Sequence, residues 1–260
     1  MLVYPQLATG ALSQFPVRKQ RRRRTVVNAA ADGTSIKLAD PSAQVTEWEL
    51  KYTGLSGTEV AALQQFFAAS EGSLHGFTFL DPTGNLLAWS DHLDNAVWTM
   101  ESFLSASSGA ADPVGGTTAW HLSNSGGGPQ SISQTLAAPG GYVYTLSAYA
   151  KSSQTTTVTL LLGTARGNRI LGPGWSRISL PGTGDPAAAS ILFGLEVPAG
   201  AAIDVYGIQA EPQAAPSIYR SASVGGVYEG ARFRDDVLSI TADSINSNST
   251  TVNIIHASHL

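Results

Sequence analysis

Between Trp48 and Trp89 the spacing of apolar positions changes twice. Thr46, Trp48, Leu50 and Tyr52 alternate with Glu47, Glu49 and Lys51, which predicts a strand with one buried face. Val60, Leu63, Phe66 and Phe67 then recur at helical spacing while Glu59, Gln64 and Gln65 fall elsewhere, which predicts a helix. Its start is explicit: Ser56 can cap, Glu59 can bond back to it, and Leu55 and Val60 occupy the staple positions. Gly72 is a natural stop. Phe77–Leu80 is a second short strand, closed by the turn Asp81-Pro82-Thr83-Gly84. By periodicity alone, strand–helix–strand is the seed of an ordinary α+β core.

Upstream, Gln14–Val17 and Thr25–Val27 read as strand on either side of a basic run, Asp32-Gly33 as a hairpin turn, Ser35–Leu38 as strand and Asp40-Pro41 as a second turn. Downstream of Asp91 the texture changes, and helical periods vanish up to Pro216. Short apolar runs alternate with Gly, Pro, Ser and Asn clusters, giving strands at 118–122, 131–136, 142–151, 155–162, 175–180, 190–196 and 202–211. Regular short strands with turn signals between them predict a β-sandwich. From Ile218 the earlier style returns, with strands around 226–228, 231–233, 237–240 and 250–255. These are too few to fold alone. The expected architecture is therefore mainly β. Residues 1–90 together with 218–260 form a discontinuous β-rich domain with one α-helix, and 91–217 form an inserted β-sandwich of jelly-roll type.

Composition sharpens this division. Only 13% of the 260 residues are charged, and the net charge is -4. Residues 91–216 hold 4 basic and 8 acidic residues, whereas the remainder holds 11 of each, so all the net charge lies in the middle segment. That balance argues against a general nucleic-acid binder. Cysteine is absent, so there is no disulfide framework or thiolate chemistry. MLVYPQLATG lacks the basic and apolar regions of a secretory signal. No apolar run approaches the ~18 residues needed to cross a bilayer, so no membrane association is expected.

Two resemblances follow from the wording of the chain. YPQL, QFPV, RTVVN, DGT, LADP, WELKYTGLS, FTFLDP and NLL, in that order and spacing, resemble the hub domain of distal-tail-like proteins of tailed bacteriophages and related tail machines. NAVW, ADPVGGTTAWHL, SISQTL, YTLSAYAKS, GWSRISL and above all VYGIQAEPQAAPSIYRSA resemble the carbohydrate-binding-module-like jelly rolls of phage tail proteins. The first resemblance implies a structural protein of a phage-type tail tip. It would assemble as a ring, a hexamer in that family, joining tail tube to tip-complex proteins in the virion after assembly in the bacterial cytoplasm. The second implies an outward sandwich that can meet host envelope glycans, since such domains bind glycans in some proteins and act as spacers in others. The alternatives are a free-standing carbohydrate-binding protein and, with less support, a glycan depolymerase.

The chemistry available agrees with binding rather than catalysis. His75, His92, His121, His256 and His259 show no helical metal-ligand spacing, and there is no nucleophile elbow or phosphate loop. No enzymatic activity, cofactor or metal is expected. For saccharide binding through an aromatic face, Trp98, Trp120, Tyr142, Tyr144, Tyr149 and Trp175 are available. Trp98 and Trp175 match family positions that are usually buried. The first choice is therefore Trp120, which neighbours His121, and the second Tyr142. Arg18, Lys19, Arg21, Arg22, Arg23 and Arg24 form the basic cluster. In an extended chain alternate members face opposite ways. One set could pair with a neighbouring subunit and the other line a channel for DNA, while the plain alternative is a solvated edge strand.

Overall fold

The computed structural model describes residues 2–257, so His259 lies outside the described residues. In chain order the elements are β1 (Val17–Ala29), β2 (Ser35–Leu55), α1 (Gly57–Ala69), β3 (Phe77–Leu80), β4 (Thr99–Met100), β5 (Leu104–Ala110), β6 (Ala119–Asn124), β7 (Gln130–Leu136), β8 (Tyr144–Lys151), β9 (Thr156–Leu162), β10 (Ala165–Leu171), β11 (Ser176–Gly182), β12 (Ile191–Val197), β13 (Ala202–Glu211), β14 (Val227–Phe233), β15 (Ile240–Ser244) and β16 (Ser247–Ala257). They divide between two compact units. Unit 1 takes the chain up to Leu7, Ser13–Phe79 and everything from Tyr228, whereas unit 2 takes Ala8–Leu12 and Leu80–Val227.

Unit 1 is one sheet in the order β1-β2-β16-β14-β3, with β15 paired to β16, and one helix. The alternation around Trp48 does what it predicts: Trp48, Leu50 and Tyr52 are buried. Ser56 and Glu59 form the reciprocal capping box, with the Ser56 N–H donating to Glu59 Oε2 at 2.9 Å and the Glu59 N–H to Ser56 Oγ at 3.3 Å. Leu63 and Phe66 are the buried helical positions. The core is aromatic. Tyr4 meets Phe66 and Phe79 edge-on at 5.6 Å, and Trp48 meets Tyr228 at 4.7 Å. Truncating a buried aromatic of this size costs about 3–5 kcal/mol.

One expected turn is present only as a local kink, in which Asp40 Oδ1 accepts from the Ser42 N–H at 3.1 Å. Asp40-Pro41 does not end a strand, because β2 runs through it and the pairing jumps from Arg24–Asp40 to Arg22–Val45. Pro41 has no N–H for a ladder, so the intervening residues loop out of register while both strands continue. Beyond that bulge β1 and β2 form a ribbon closed by Gly33 at φ 83°, where Asp32 Oδ1 accepts from Thr34. Among the described residues β16 pairs with β2 only as far as Val45, so the ribbon has no third strand.

Unit 2 is a β-sandwich of jelly-roll type. One five-stranded antiparallel sheet runs β10-β9-β12-β7-β4 and the other β11-β8-β13-β6-β5. From β6 to β9, and again from β10 to β13, successive strands alternate between the two sheets, the path that makes a jelly roll. Tyr144, Leu146, Ala148 and Ala150 of one sheet and Leu160, Leu162, Phe193 and Leu195 of the other fill the space between them. β5 and β10 were not legible as strands: LSASSGA and ARGNRIL carry too few large apolar residues to show alternation.

Candidate functional site

The site is built on the sheet β11-β8-β13-β6-β5 of unit 2. Along β8, Leu146, Ala148 and Ala150 enter the core, so Ser147, Tyr149 and Lys151 face away from it. Along β13, Ile203 and Val205 enter the core, so Asp204 and Tyr206 face away. The register sets these outward positions side by side. Arg177 lies next to Tyr149 and Tyr149 next to Tyr206, while one step along Lys151 lies next to Asp204 and Asp204 next to His121.

The first row is an aromatic strip. The Arg177 guanidinium stacks 5.3 Å from the Tyr149 ring centre, Tyr149 is 6.1 Å from Tyr206, and Tyr206 is 5.3 Å from Tyr219. The three tyrosines and Arg177 are half-buried. In the second row Asp204 is shared, 2.7 Å from His121 Nδ1 and 3.3 Å from Lys151 Nζ, and the same ammonium sits 4.9 Å over the Trp175 ring.

Tyr219 is delivered by the closing segment of the sandwich. At Gly207, with φ 65°, the register of β13 shifts, and a Cβ there would lie 2.9 Å from Tyr219 Cγ. Only glycine admits the ring so close. Gln209 and Glu211, the two polar residues of the Gln-Ala-Glu motif, then hold the returning chain. Gln209 Oε1 accepts from the Arg220 N–H at 2.8 Å and Glu211 Oε2 from the Ser217 N–H at 3.0 Å. The Tyr219 hydroxyl donates to the Asp91 carboxylate, which also accepts from the Ser221 hydroxyl. Burial first, and then the bond to Asp91, push the Tyr219 phenol far above its ordinary value, so it stays a donor.

Beside this strip opens a cleft of about 570 Å³, walled by Asp91, Asp94, Ser108, Trp120, Tyr206 and Tyr219 among others. Its Thr117–Thr118 rim is fixed by Asp112, which accepts from the N–H groups of Val114, Gly116 and Thr118 and from the Thr118 hydroxyl at 2.8–3.1 Å. Partial desolvation works upward, but those four donors outweigh it and hold the Asp112 carboxyl down at about 2. Aromatic walls with a few fixed polar groups can stack the C–H face of a sugar ring and bond its hydroxyls.

Trp120 is not an exposed platform. It faces the core side with Leu122, is only 6% exposed, and donates from Nε1 to the Asp91 carbonyl at 2.9 Å, so it lends the cleft an edge. Tyr142 precedes β8 at the end remote from Tyr149, seven residues and roughly 23 Å along an extended strand. Burial pushes its phenol up to about 12. The two residues do not share a site. The basic cluster stands in unit 1 and is largely answered within its own hairpin. Arg22 pairs with Glu47 at 2.6 Å, Arg24 with Asp40 at 2.7 Å and Arg18 with Glu49 at 3.8 Å, while Lys19 lies 5.5 Å over the Trp48 ring.

No protein-family model matches the chain, and no curated protein does. Solved structures similar to part of it include the enzymatically active domain of tailspike protein 4 from bacteriophage CBA120, at 18% identity and a TM-score of 0.41 over 51% of this chain and 22% of that one. Another is the CBM22-1 xylan-binding domain of Paenibacillus barcinonensis Xyn10C, at 14% identity and 0.39 over 54% and 95%. A third is the carbohydrate-binding module TmCBM61 in complex with β-1,4-galactotriose, at 12% and 0.39 over 49% and 98%. The chain spans about a fifth of the tailspike domain's length.

Tyr206, Tyr219 and Arg177 were not singled out from sequence. The signal for Tyr206 was available, since in AIDVYGIQAE it alternates with core-facing Ile203 and Val205. Tyr219 lies outside any strand, so its place is set by tertiary contacts: its ring against Gly207, its hydroxyl on Asp91, and the bonds of Gln209 and Glu211 to the flanking chain.

Proposed function

We propose that unit 2 is a saccharide-binding module whose ligand lies across the outer face of β11, β8 and β13. The observation that carries this reading is the continuous strip of Tyr149, Tyr206 and Tyr219 on a sheet whose opposite face is core. Neighbouring strands stand about 4.8 Å apart, so three of them offer roughly 10 Å of floor, enough for a short run of sugar rings. Asp204, His121, Ser221 and Asp94 stand ready for hydroxyls, and Trp120 closes the cleft. Titrating the intact chain against panels of neutral and acidic oligosaccharides tests this. Binding to at least one class, lost in the Tyr149→Ala/Tyr206→Ala double variant with the fold retained, is expected. Absence of binding to every panel, or binding indifferent to both tyrosines, would overturn it.

For unit 1 we propose a role in assembly, with the chain a virion component of a phage-type tail tip. The supporting observation is the two-stranded β1–β2 ribbon, which exposes Val27, Ile36 and Leu38 beside Arg24 and Lys37. A ribbon of this kind is marginal without a partner. Sedimentation of the intact chain should reveal a closed homo-oligomer sensitive to Val27→Ser and Ile36→Ser. A monomer at every concentration and ionic strength would refute this role.

A further inference from the structure

On the outer face of the sheet β11-β8-β13-β6-β5, Arg177 has no carboxylate to answer it among the described residues. Arg177 donates from Nη2 to Ser147 Oγ at 3.0 Å, a neutral partner, and stacks on Tyr149. Its Nε is buried and has no hydrogen-bond partner among the described residues. That nitrogen is out of a ligand's reach, so what the guanidinium can offer is the N–H groups of its terminal nitrogens. The nearest carboxylate along the register, Asp204, is already shared between Lys151 and His121. The opposite end of the strip differs in sign: Asp91 and Asp94 wall the cleft beyond Tyr219. The face therefore runs from a cationic edge at β11, across three tyrosine rings, to an acidic cleft.

Resting on the saccharide-binding reading, we propose that the ligand is an anionic glycan, and that Arg177 takes the carboxylate of a uronate-type residue stacked on Tyr149. The planar guanidinium presents donors in a fork that fits a carboxylate in two-point fashion, and Tyr149 holds that plane in place. At the other end the carboxylates of Asp91 and Asp94 accept from sugar hydroxyls and repel a second anionic group. The face thus fixes the direction in which the chain lies as well as its class.

The test titrates the intact protein with galactose oligosaccharides that carry a single terminal galacturonate and with all-galactose oligosaccharides of matched length, at low and at high salt. The uronate series is expected to bind about tenfold or more tighter at low salt, and that preference should shrink as salt rises. Arg177→Gln should erase the preference, and Arg177→Lys should restore part of it. Equal binding of both series by the wild-type protein, independent of salt, would overturn the anionic assignment while the module reading stands. Binding of neither series, nor of any oligosaccharide panel, would remove both. Should Arg177→Gln fail to fold, the salt dependence of the wild-type preference still decides.

Discussion

The β1–β2 ribbon of unit 1 and the outer sheet face of unit 2 both display exposed cations, but they use them in opposite ways. Along β1 the charges are dense, and the pairing register with β2 sets Arg18 and Arg22 before the bulge, and Arg24 in the ribbon, within reach of Glu49, Glu47 and Asp40. On the sandwich face cations are sparse, yet Arg177 has no carboxylate partner among the described residues and lies 5.3 Å over the Tyr149 ring centre. A run of arginines in sequence signals a site less well than one arginine whose neighbours leave it unanswered. What matters for recognition is the charge still available once local pairs have formed.

The two regions can be pulled apart by single substitutions. The largest effect is expected at glycines of positive φ. Gly207→Ala meets both backbone strain and the Tyr219 ring, so a loss of about 2–4 kcal/mol and of saccharide binding is expected. Gly33→Ala at the ribbon tip meets nothing within 4 Å and should cost only the strain, about 1–2 kcal/mol. Thermal and denaturant melts check both. A Gly207→Ala protein that melts and binds like wild type would mean that Tyr219 is not locked over β13.

A smaller effect belongs to Asp112. Its carboxyl is held at about 2 against an ordinary 3.8, so the folded state binds a proton less readily than the unfolded one. Its contribution is complete above pH ~4 and is lost as pH falls towards 2. Asp112→Asn should flatten that part of the stability–pH curve of unit 2 and loosen the Thr117–Thr118 rim. An unchanged acid limb would show that the four donors do not act on its charge.

The smallest effect is in the ribbon. Arg22→Gln and Arg24→Gln should each shift stability by about 0.5 kcal/mol or less, because these pairs sit on long exposed side chains. A loss above about 2 kcal/mol in a melt would make the ribbon a structural element in its own right.

Legibility in the sequence followed the strength of local signals. The helix of unit 1 was readable to its cap because Ser56 and Glu59 act three residues apart, and Gly72 follows directly on its last turn. Seven strands of the sandwich were readable because Leu, Ile and Val alternate in them, whereas serine-rich β5 and arginine-rich β10 were not. The site was harder. Trp120 drew attention by its identity, but cross-strand pairing with Val205 turns it to the core side. Tyr149 and Tyr206 become neighbours only through the β8–β13 register, and Tyr219 joins them through bonds from Gln209 and Glu211, so no sequence spacing reports the strip.

The most direct test of the saccharide-binding face is a nuclear magnetic resonance titration of the intact protein with tyrosine rings labelled and assigned. On adding galactose oligosaccharides that carry a single terminal galacturonate, the signals of Tyr149, Tyr206 and Tyr219 should move together along one saturating curve while those of Tyr142 and Tyr52 stay fixed. Movement confined to Tyr142, or no movement of the three strip tyrosines with any acidic or neutral oligosaccharide, would contradict it.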